Sequence, residues 1–178
     1  LQLGFRDDNG SISSDLDWYD NNYEIMTNDT YRNAFFRGAI EKLSSQPQGY
    51  RRWFEIGPGA DGCLTKMVLD ASPENTVLAV EGSAPAVKKL TNKLARHIRT
   101  GRLRVVHGIV GETSLDAQAD VLLAEILGHW ASSEGYCEVL RASGIRCADT
   151  VPRYFGTCIV PVDLSLARRL VPTMVGSK

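Results

Sequence analysis

The sequence has 178 residues, of which 43% are hydrophobic and 23% charged, so it fits one globular domain and excludes a disordered or collagen-like chain. Twenty basic and 21 acidic side chains leave a formal charge of -1, which indicates neither nucleic acid nor an anionic membrane as the partner. No apolar run approaches the roughly 20 residues that span a bilayer. Four cysteines without CxxC spacing predict no metal site and favour a reducing cytoplasmic or nuclear setting.

The two ends of the chain differ in character from its middle. Residues 1–17 are polar and predict a flexible lead-in. Neither an initiator methionine nor a signal-peptide pattern stands at Leu1, so we expect the sequence to be part of a longer protein. Residues 18–150 predict one α/β domain. Residues 151–178 are rich in β-favouring side chains between prolines, and predict either a last strand of that domain or the start of a second, β-rich domain.

Hydrophobic periodicity changes along the middle of the chain. Apolar residues from Trp18 to Leu43 recur at helical spacing and predict one or two helices that end in the break at 44–49. The alternation that follows predicts a parallel sheet with helices on its faces, which binds ligands at the carboxyl ends of its strands. The predicted elements are, in order, strand 52–56, helix 63–70, strand 76–80, helix 84–98, strand 103–106, strand 120–124 and helix 134–142.

A glycine-rich loop, Gly57-Pro-Gly-Ala-Asp-Gly62, lies between the first predicted strand and a helix, which is the context that a nucleotide-binding loop requires. Glycines such as Gly57 and Gly59 let the backbone approach a ligand closely. Glu81 stands 24 residues after Gly57, just past the second strand, where a carboxylate can accept hydrogen bonds from ribose hydroxyls. Together these residues predict an adenosine-containing cofactor. Dinucleotides and S-adenosylmethionine share this geometry.

Two glutamates follow the fourth predicted strand, Glu125 at its carboxyl end and Glu134 nine residues later, with Gly128 available for the turn between them. Two carboxylates that converge on one cavity suit a guanidinium, since each can accept its parallel N–H bonds. They would hold positive charge away from the nitrogen that attacks a methyl sulfonium. Two solvated acids on a surface hairpin are the alternative. His129, between them, is either a loop-packing residue or a proton acceptor.

The order of these motifs resembles a known family. The stretch from Ala124 to Glu134 is similar to the double-glutamate loop of protein arginine methyltransferases, with the same separation of acids. Tyr23-Glu-Ile-Met-Thr-Asn-Asp-Thr-Tyr-Arg-Asn33 resembles that family's N-terminal helical motif, and Leu78-Ala-Val-Glu81 resembles its ribose-binding segment. Val151-Pro-Arg-Tyr-Phe155 is similar to the strand that leads into its β-barrel. The ordered set is more specific than any one motif.

This resemblance implies an α/β fold, namely a Rossmann-like class I methyltransferase sheet with N-terminal helices and the start of a β-barrel domain. It implies S-adenosyl-L-methionine as cofactor, S-adenosyl-L-homocysteine as product, and an arginine-containing protein as substrate. It also implies a homodimer or heterodimer, formed through a C-terminal region that the sequence does not contain.

The resemblance assigns a role to individual residues. Glu125 and Glu134 would orient the substrate guanidinium, Arg32 would meet the methionine carboxylate of the cofactor, and Glu112 would lie beside its adenine. The substrate pocket would be lined by Met26, Asp29 and Tyr136. The cofactor would be bound by Tyr23, Arg32, Gly57, Gly59, Glu81, Gly82 and Glu112.

Two features differ from the family pattern. The glycine loop is one residue longer than the usual Gly-x-Gly-x-Gly, and Tyr136 stands where members that make asymmetric dimethylarginine carry a methionine. The sequence therefore leaves two other functions open, a non-catalytic paralogue that binds an active one and a methyltransferase for a small molecule. Without the resemblance, Asp29 and Arg32 would be read as a solvated ion pair on a helix.

Overall fold

The computed structural model describes residues 25–47, 49–113, 118–127 and 135–157. Residues 25–28 form a helical turn directly before the first long helix. The elements that follow are α1 Thr30–Ser44, β1 Arg52–Ile56, α2 Cys63–Ala71, β2 Thr76–Glu81, α3 Ala84–Lys93, α4 Ala95–Arg99, β3 Leu103–His107, β4 Val121–Ala124, α5 Tyr136–Ser143 and β5 Asp149–Val151.

The five strands form one parallel sheet in the order β3-β2-β1-β4-β5. The chain leaves β1 on one side to build β2 and β3, and then returns to the other side of β1 to build β4. The strand order therefore reverses beside β1, and in sheets of this kind ligands bind at the carboxyl ends of the strands at that reversal. The ends of β1, β2 and β4 lie there.

Two apolar layers cover the sheet, one on each face. Alternation along β1 divides its side chains between them, so that Trp53 packs in one layer and Phe54 in the other. The first layer includes Phe36 and Ile40 of α1 and Leu64 and Val68 of α2. The second includes Tyr136 of α5, packed with Ile56, Val80 and Leu122. Helices on both faces explain why β1 is buried at four of its five positions.

The parallel α/β sheet confirms the predicted fold class. The prediction of one helix over 84–98 is wrong, because the chain turns at Leu94, whose φ of -105° and ψ of 21° separate α3 from α4. Leu90, Leu94 and Ile98 all pack in or against one apolar layer, so the apolar period continues through the break and does not reveal it.

The end of the predicted domain lies only partly within the described residues. Residues Asp149–Val151 form a parallel strand beside β4 and are therefore the last described strand of this sheet. The predicted β-rich segment 151–178 lies mostly outside the described residues, as do the lead-in 1–17 and the segment 18–24, and these stay predictions. In the part of the chain that is described, no helix is long and apolar enough to cross a membrane.

Candidate functional site

The glycine loop 57–62 connects β1 to α2 through three glycines with left-handed backbone conformations. The φ angles are 66° at Gly57, 69° at Gly59 and 57° at Gly62, a region that disfavours residues with a side chain. Gly62 also packs closely, since a Cβ there would lie 2.3 Å from Leu90 Cδ1. The third glycine thus lets the end of the loop approach Leu90 of α3 closely, while Gly57 and Gly59 shape the backbone at the carboxyl end of β1.

Glu81, the last residue of β2, ties this loop to the neighbouring strand. Its side chain is 6% exposed, Oε2 accepts the Gly59 N–H at 3.0 Å, and Oε1 accepts the Ser83 N–H at 2.8 Å. Each carboxylate oxygen has a second acceptor site. The predicted ribose contact is therefore compatible with these two bonds and stays a prediction.

Glu125 follows β4 and contacts a residue 93 positions earlier. Arg32, in the first turn of α1, donates from Nη2 to Glu125 Oε2 at 2.8 Å, and the two side chains are 17% and 20% exposed. Asp29 caps α1 by accepting the backbone N–H of Arg32 at 2.9 Å. The contact places the N-terminal helix over the carboxyl end of the sheet. Asp29 and Arg32 therefore do not form an isolated ion pair, because the Arg32 guanidinium pairs with Glu125.

One nitrogen of the Arg32 guanidinium makes no hydrogen bond to the described residues. This nitrogen, Nε, is buried. A buried donor of a charged group normally has a partner, and a guanidinium suits a carboxylate. Together with the glycine loop and Glu81, this donor fits a ligand that has a ribose at one end and a carboxylate at the other.

Glu55 is a candidate site residue that the sequence analysis missed. It lies in β1 two residues before Gly57, is 2% exposed, and accepts a hydrogen bond from the Thr65 hydroxyl. Burial raises the pKa of its carboxyl to about 7. The Thr65 bond and the Arg32 charge oppose that shift, and the Glu81 charge adds to it. A glutamate inside an otherwise apolar strand was the available signal.

The other predicted residues are more dispersed. Met26 lies in the helical turn before Asp29 and is partly exposed, whereas Glu112 is exposed in a turn after β3. Gly82 is exposed directly after Glu81, and its carbonyl oxygen lies 3.1 Å from His107 Nε2. Tyr23, Gly128, His129 and Glu134 fall outside the described residues, so the convergence of the two glutamates stays a prediction.

Tyr136 begins α5 and is 4% exposed. Its hydroxyl donates to the Pro152 carbonyl oxygen at 3.2 Å, and its ring packs edge-to-face on Phe155 with centroids 4.7 Å apart. Burial raises the pKa of the phenol above its ordinary value. These contacts join α5 to the chain after β5, and the predicted role of Tyr136 in a substrate pocket is not tested by them.

A metal centre finds no support in the described ranges, where no three His, Cys, Asp or Glu side chains are grouped to bind an ion. The candidate site therefore consists of the glycine loop, Glu81, Arg32, Glu125 and the buried Glu55. All of them lie at the carboxyl ends of β1, β2 and β4 or directly above these ends.

The known proteins that this chain resembles in sequence or in fold are arginine methyltransferases. No family model matches the chain. Over 121 residues the chain is 31% identical to protein arginine N-methyltransferase 1.6 of Arabidopsis thaliana. The aligned segment covers 64% of this chain and 16% of that relative. The chain thus spans less than a fifth of the curated relative.

Two solved structures share the fold. One is protein arginine methyltransferase 10 of Arabidopsis thaliana in an open conformation. The match covers 69% of this chain and 34% of that protein's chain, with a TM-score of 0.58 and 18% identity. The PRMT1 enzyme–prozyme heterotetrameric complex of Trypanosoma brucei with AdoHcy matches 68% of this chain and 37% of its own, with the same TM-score and identity.

Proposed function

We propose that this chain belongs to the protein arginine methyltransferase family, and that it transfers a methyl group from S-adenosylmethionine to the guanidinium of a protein arginine. The observation that carries the proposal is the contact between Arg32 and Glu125. Glu125 accepts an N–H of the Arg32 guanidinium at 2.8 Å. This contact lies at the carboxyl ends of the strands, beside the glycine loop. The environment of this carboxylate is therefore suited to the group that the proposed substrate presents.

The cofactor would be held by residues that fit its parts. The backbone at Gly57 and Gly59 allows close approach, Glu81 can accept from ribose hydroxyls, and the free Nε of Arg32 can donate to the carboxylate of the methionine moiety. Bound there, S-adenosylmethionine supplies a methyl group on a sulfonium. Its product form, AdoHcy, is present in the trypanosome complex, which supports this choice of cofactor.

Glu125 would orient the substrate. A carboxylate has about four acceptor sites, so Glu125 can bind a substrate guanidinium while Arg32 occupies one of them. Hydrogen bonds from the substrate concentrate positive charge on the nitrogens that face the carboxylate, and leave electron density on the nitrogen that attacks the methyl carbon. That nitrogen releases one proton after the transfer, for which the carboxylates are acceptors. Glu134 is the proposed second carboxylate, and Met26, Asp29 and Tyr136 are the proposed walls of the pocket.

Assembly and location follow as further parts of the proposal. The trypanosome relative is a heterotetramer of enzyme and prozyme, which supports a homodimeric or heterodimeric state for the protein that contains this chain. A cytoplasmic or nuclear location agrees with the cysteine usage.

The substitution Glu125→Gln in the full-length protein tests the assignment. Removing the charge that orients the guanidinium should lower methylation of an arginine-rich peptide by about a hundredfold or more, a loss typical of preorganised charge in active sites. Mass spectrometry of the peptide measures the methyl transfer, and titration calorimetry with AdoHcy should show that cofactor affinity survives. Glu138→Gln, an exposed acid in α5, is the matched control.

Two results would contradict the proposal. Unchanged methylation by Glu125→Gln would remove Glu125 from the site. A wild-type protein that binds neither S-adenosylmethionine nor AdoHcy at high ligand concentration would favour the non-catalytic paralogue instead.

A further inference from the structure

We propose that Asn33 is a positioning residue, which fixes the Arg32 guanidinium so that its free edge faces the cofactor carboxylate; this inference rests on the function proposed above. Asn33 uses both ends of its side-chain amide. Its Oδ1 accepts a hydrogen bond from Arg32 Nη1 at 3.0 Å, and its Nδ2 donates to the Thr27 carbonyl oxygen at 2.7 Å.

The plane of the Arg32 guanidinium is fixed from several sides. Nη1 is bound by Asn33, Nη2 is bound by Glu125, and the Phe36 ring centroid lies 5.3 Å from Cζ. A planar guanidinium that is bound at both terminal nitrogens has its orientation determined, and so has its Nε–H. Since Nε is the buried donor without a partner in the described structure, Asn33 and Glu125 together determine where this donor points.

Asn33 also sets the position of Arg32 relative to the glycine loop. Its Oδ1 lies 3.8 Å from the Sγ of Cys63, the first residue of α2. Thr27, to which its amide donates, has its hydroxyl 3.4 Å from Asp61 Oδ2 in the loop, and Asp61 Oδ1 accepts from Lys93 Nζ at 2.5 Å. One amide therefore connects the turn 25–28, the Arg32 guanidinium and the loop that the cofactor would contact.

The test compares two ligands that differ in the carboxylate. Titration calorimetry measures the affinity of the full-length protein for AdoHcy and for 5'-methylthioadenosine, which keeps the adenosine but lacks the amino-acid group. Asn33→Ala should weaken AdoHcy binding about tenfold, as expected when a hydrogen bond to a charged group is lost, and leave 5'-methylthioadenosine binding within about twofold. Lys42→Ala, an exposed residue of the same helix, should change neither affinity.

A role that is only structural would give a different pattern. If Asn33 merely holds the loop in place, Asn33→Ala weakens both ligands alike, and that result would overturn the proposal, as would an unchanged AdoHcy affinity. If the wild type binds neither ligand, the proposed function fails as well. If the wild type binds both and only the Asn33 effect is absent, the proposed function stands and this inference does not.

A second variant keeps the test valid if Asn33→Ala does not fold. Arg32→Ala removes the side chain through which Asn33 would act, so adding Asn33→Ser to Arg32→Ala should cause no further loss of AdoHcy affinity, whereas Asn33→Ser alone should cause one. Additive losses would show that Asn33 acts independently of Arg32, and would overturn the proposal.

Discussion

Glu55 is a carboxyl group inside the protein, and groups from three elements surround it. Thr65 of α2 donates a hydrogen bond to it, Glu81 of β2 adds a negative charge nearby, and Arg32 of α1 adds a positive one. Burial is the largest cause that raises its pKa, to about 7 from an ordinary value of 4.5. The carboxyl is therefore largely protonated in the folded protein under mildly acidic conditions.

The raised pKa predicts the direction of a pH effect on stability. Between about pH 4.5 and 7 the native state holds a proton on Glu55 that the unfolded state has released, so the free energy of unfolding falls as the pH rises through this window and this contribution is constant above it. The gap between the two pKa values corresponds to a loss on the order of 3 kcal/mol. Glu55→Gln, which stays neutral and can still accept from Thr65, should lack this contribution.

Thermal denaturation of the wild type and of Glu55→Gln from pH 5 to 8 measures the difference. The variant should gain stability relative to the wild type as the pH rises. Parallel pH profiles for the two proteins would show that Glu55 is not titrating in this range.

Sequence motifs predicted single residues better than contacts between them. Glu125 and Arg32 stood out because each belongs to a recognisable segment, yet nothing in the sequence states that residues 93 positions apart share a hydrogen bond. Glu55 was missed because periodicity assigns it to a strand, and only the fold shows that its face of β1 is covered by α2. Asn33 has no sequence signal of its own, since its role depends on Arg32 and Thr27 together.

At the level of elements, the close approach of the glycine loop to α3 depends on Gly62. Its φ of 57° is unfavourable for any residue with a side chain, and an added Cβ would lie 2.3 Å from Leu90 Cδ1, with Leu90 fully buried. Gly38, in the interior of α1, is the opposite case, because a Cβ there meets nothing within 4 Å and no left-handed φ is required.

These two glycines give a matched pair of substitutions. Gly62→Ala should lower the free energy of unfolding by about 2 kcal/mol or more, from left-handed strain and displacement of Leu90. Gly38→Ala should raise it by about 0.5–1 kcal/mol, because alanine restricts the unfolded chain and favours the helix. Urea denaturation measures both changes, and equal stability of the two variants would contradict the described packing.

Two helix ends were predicted at the wrong residues, because the hydrophobic pattern does not record local backbone angles. A break such as that at Leu94 changes two dihedral angles of one residue without interrupting the apolar period. The start of α5 is a similar case. Gly135, with a φ of 79°, directly precedes the helix, which begins at Tyr136 and not at the predicted residue 134. Local backbone angles decide where an element ends, and hydrophobic spacing records only which face is buried.

On the scale of the whole molecule, strand order brings the candidate residues together. The order β3-β2-β1-β4-β5 places the ends of β2, β1 and β4 side by side, so Glu81, the glycine loop and Glu125 share one edge although they are far apart in sequence. The alternation of strands and helices predicted the fold class, but strand order is a property of the three-dimensional packing. The same order puts Arg32 of α1 above that edge.

The chain's relatives are much longer than the chain itself, and it spans 34% and 37% of the two solved proteins that it resembles. The described site contains Arg32, Gly57, Gly59 and Glu81 of the proposed cofactor residues, and one of the two proposed carboxylates. Activity is therefore best measured on the full-length protein, in which any further parts of the site are present.

The proposed function predicts that the protein methylates arginine and not lysine. The full-length protein is incubated with S-adenosylmethionine and two peptides that are identical except for arginine or lysine at one position, and each product is analysed by mass spectrometry. Because a carboxylate positioned like Glu125 selects a planar guanidinium over a compact ammonium, methyl groups are predicted on the arginine peptide and not on the lysine peptide. Equal methylation of both peptides, or cofactor binding with methylation of neither, would contradict the account.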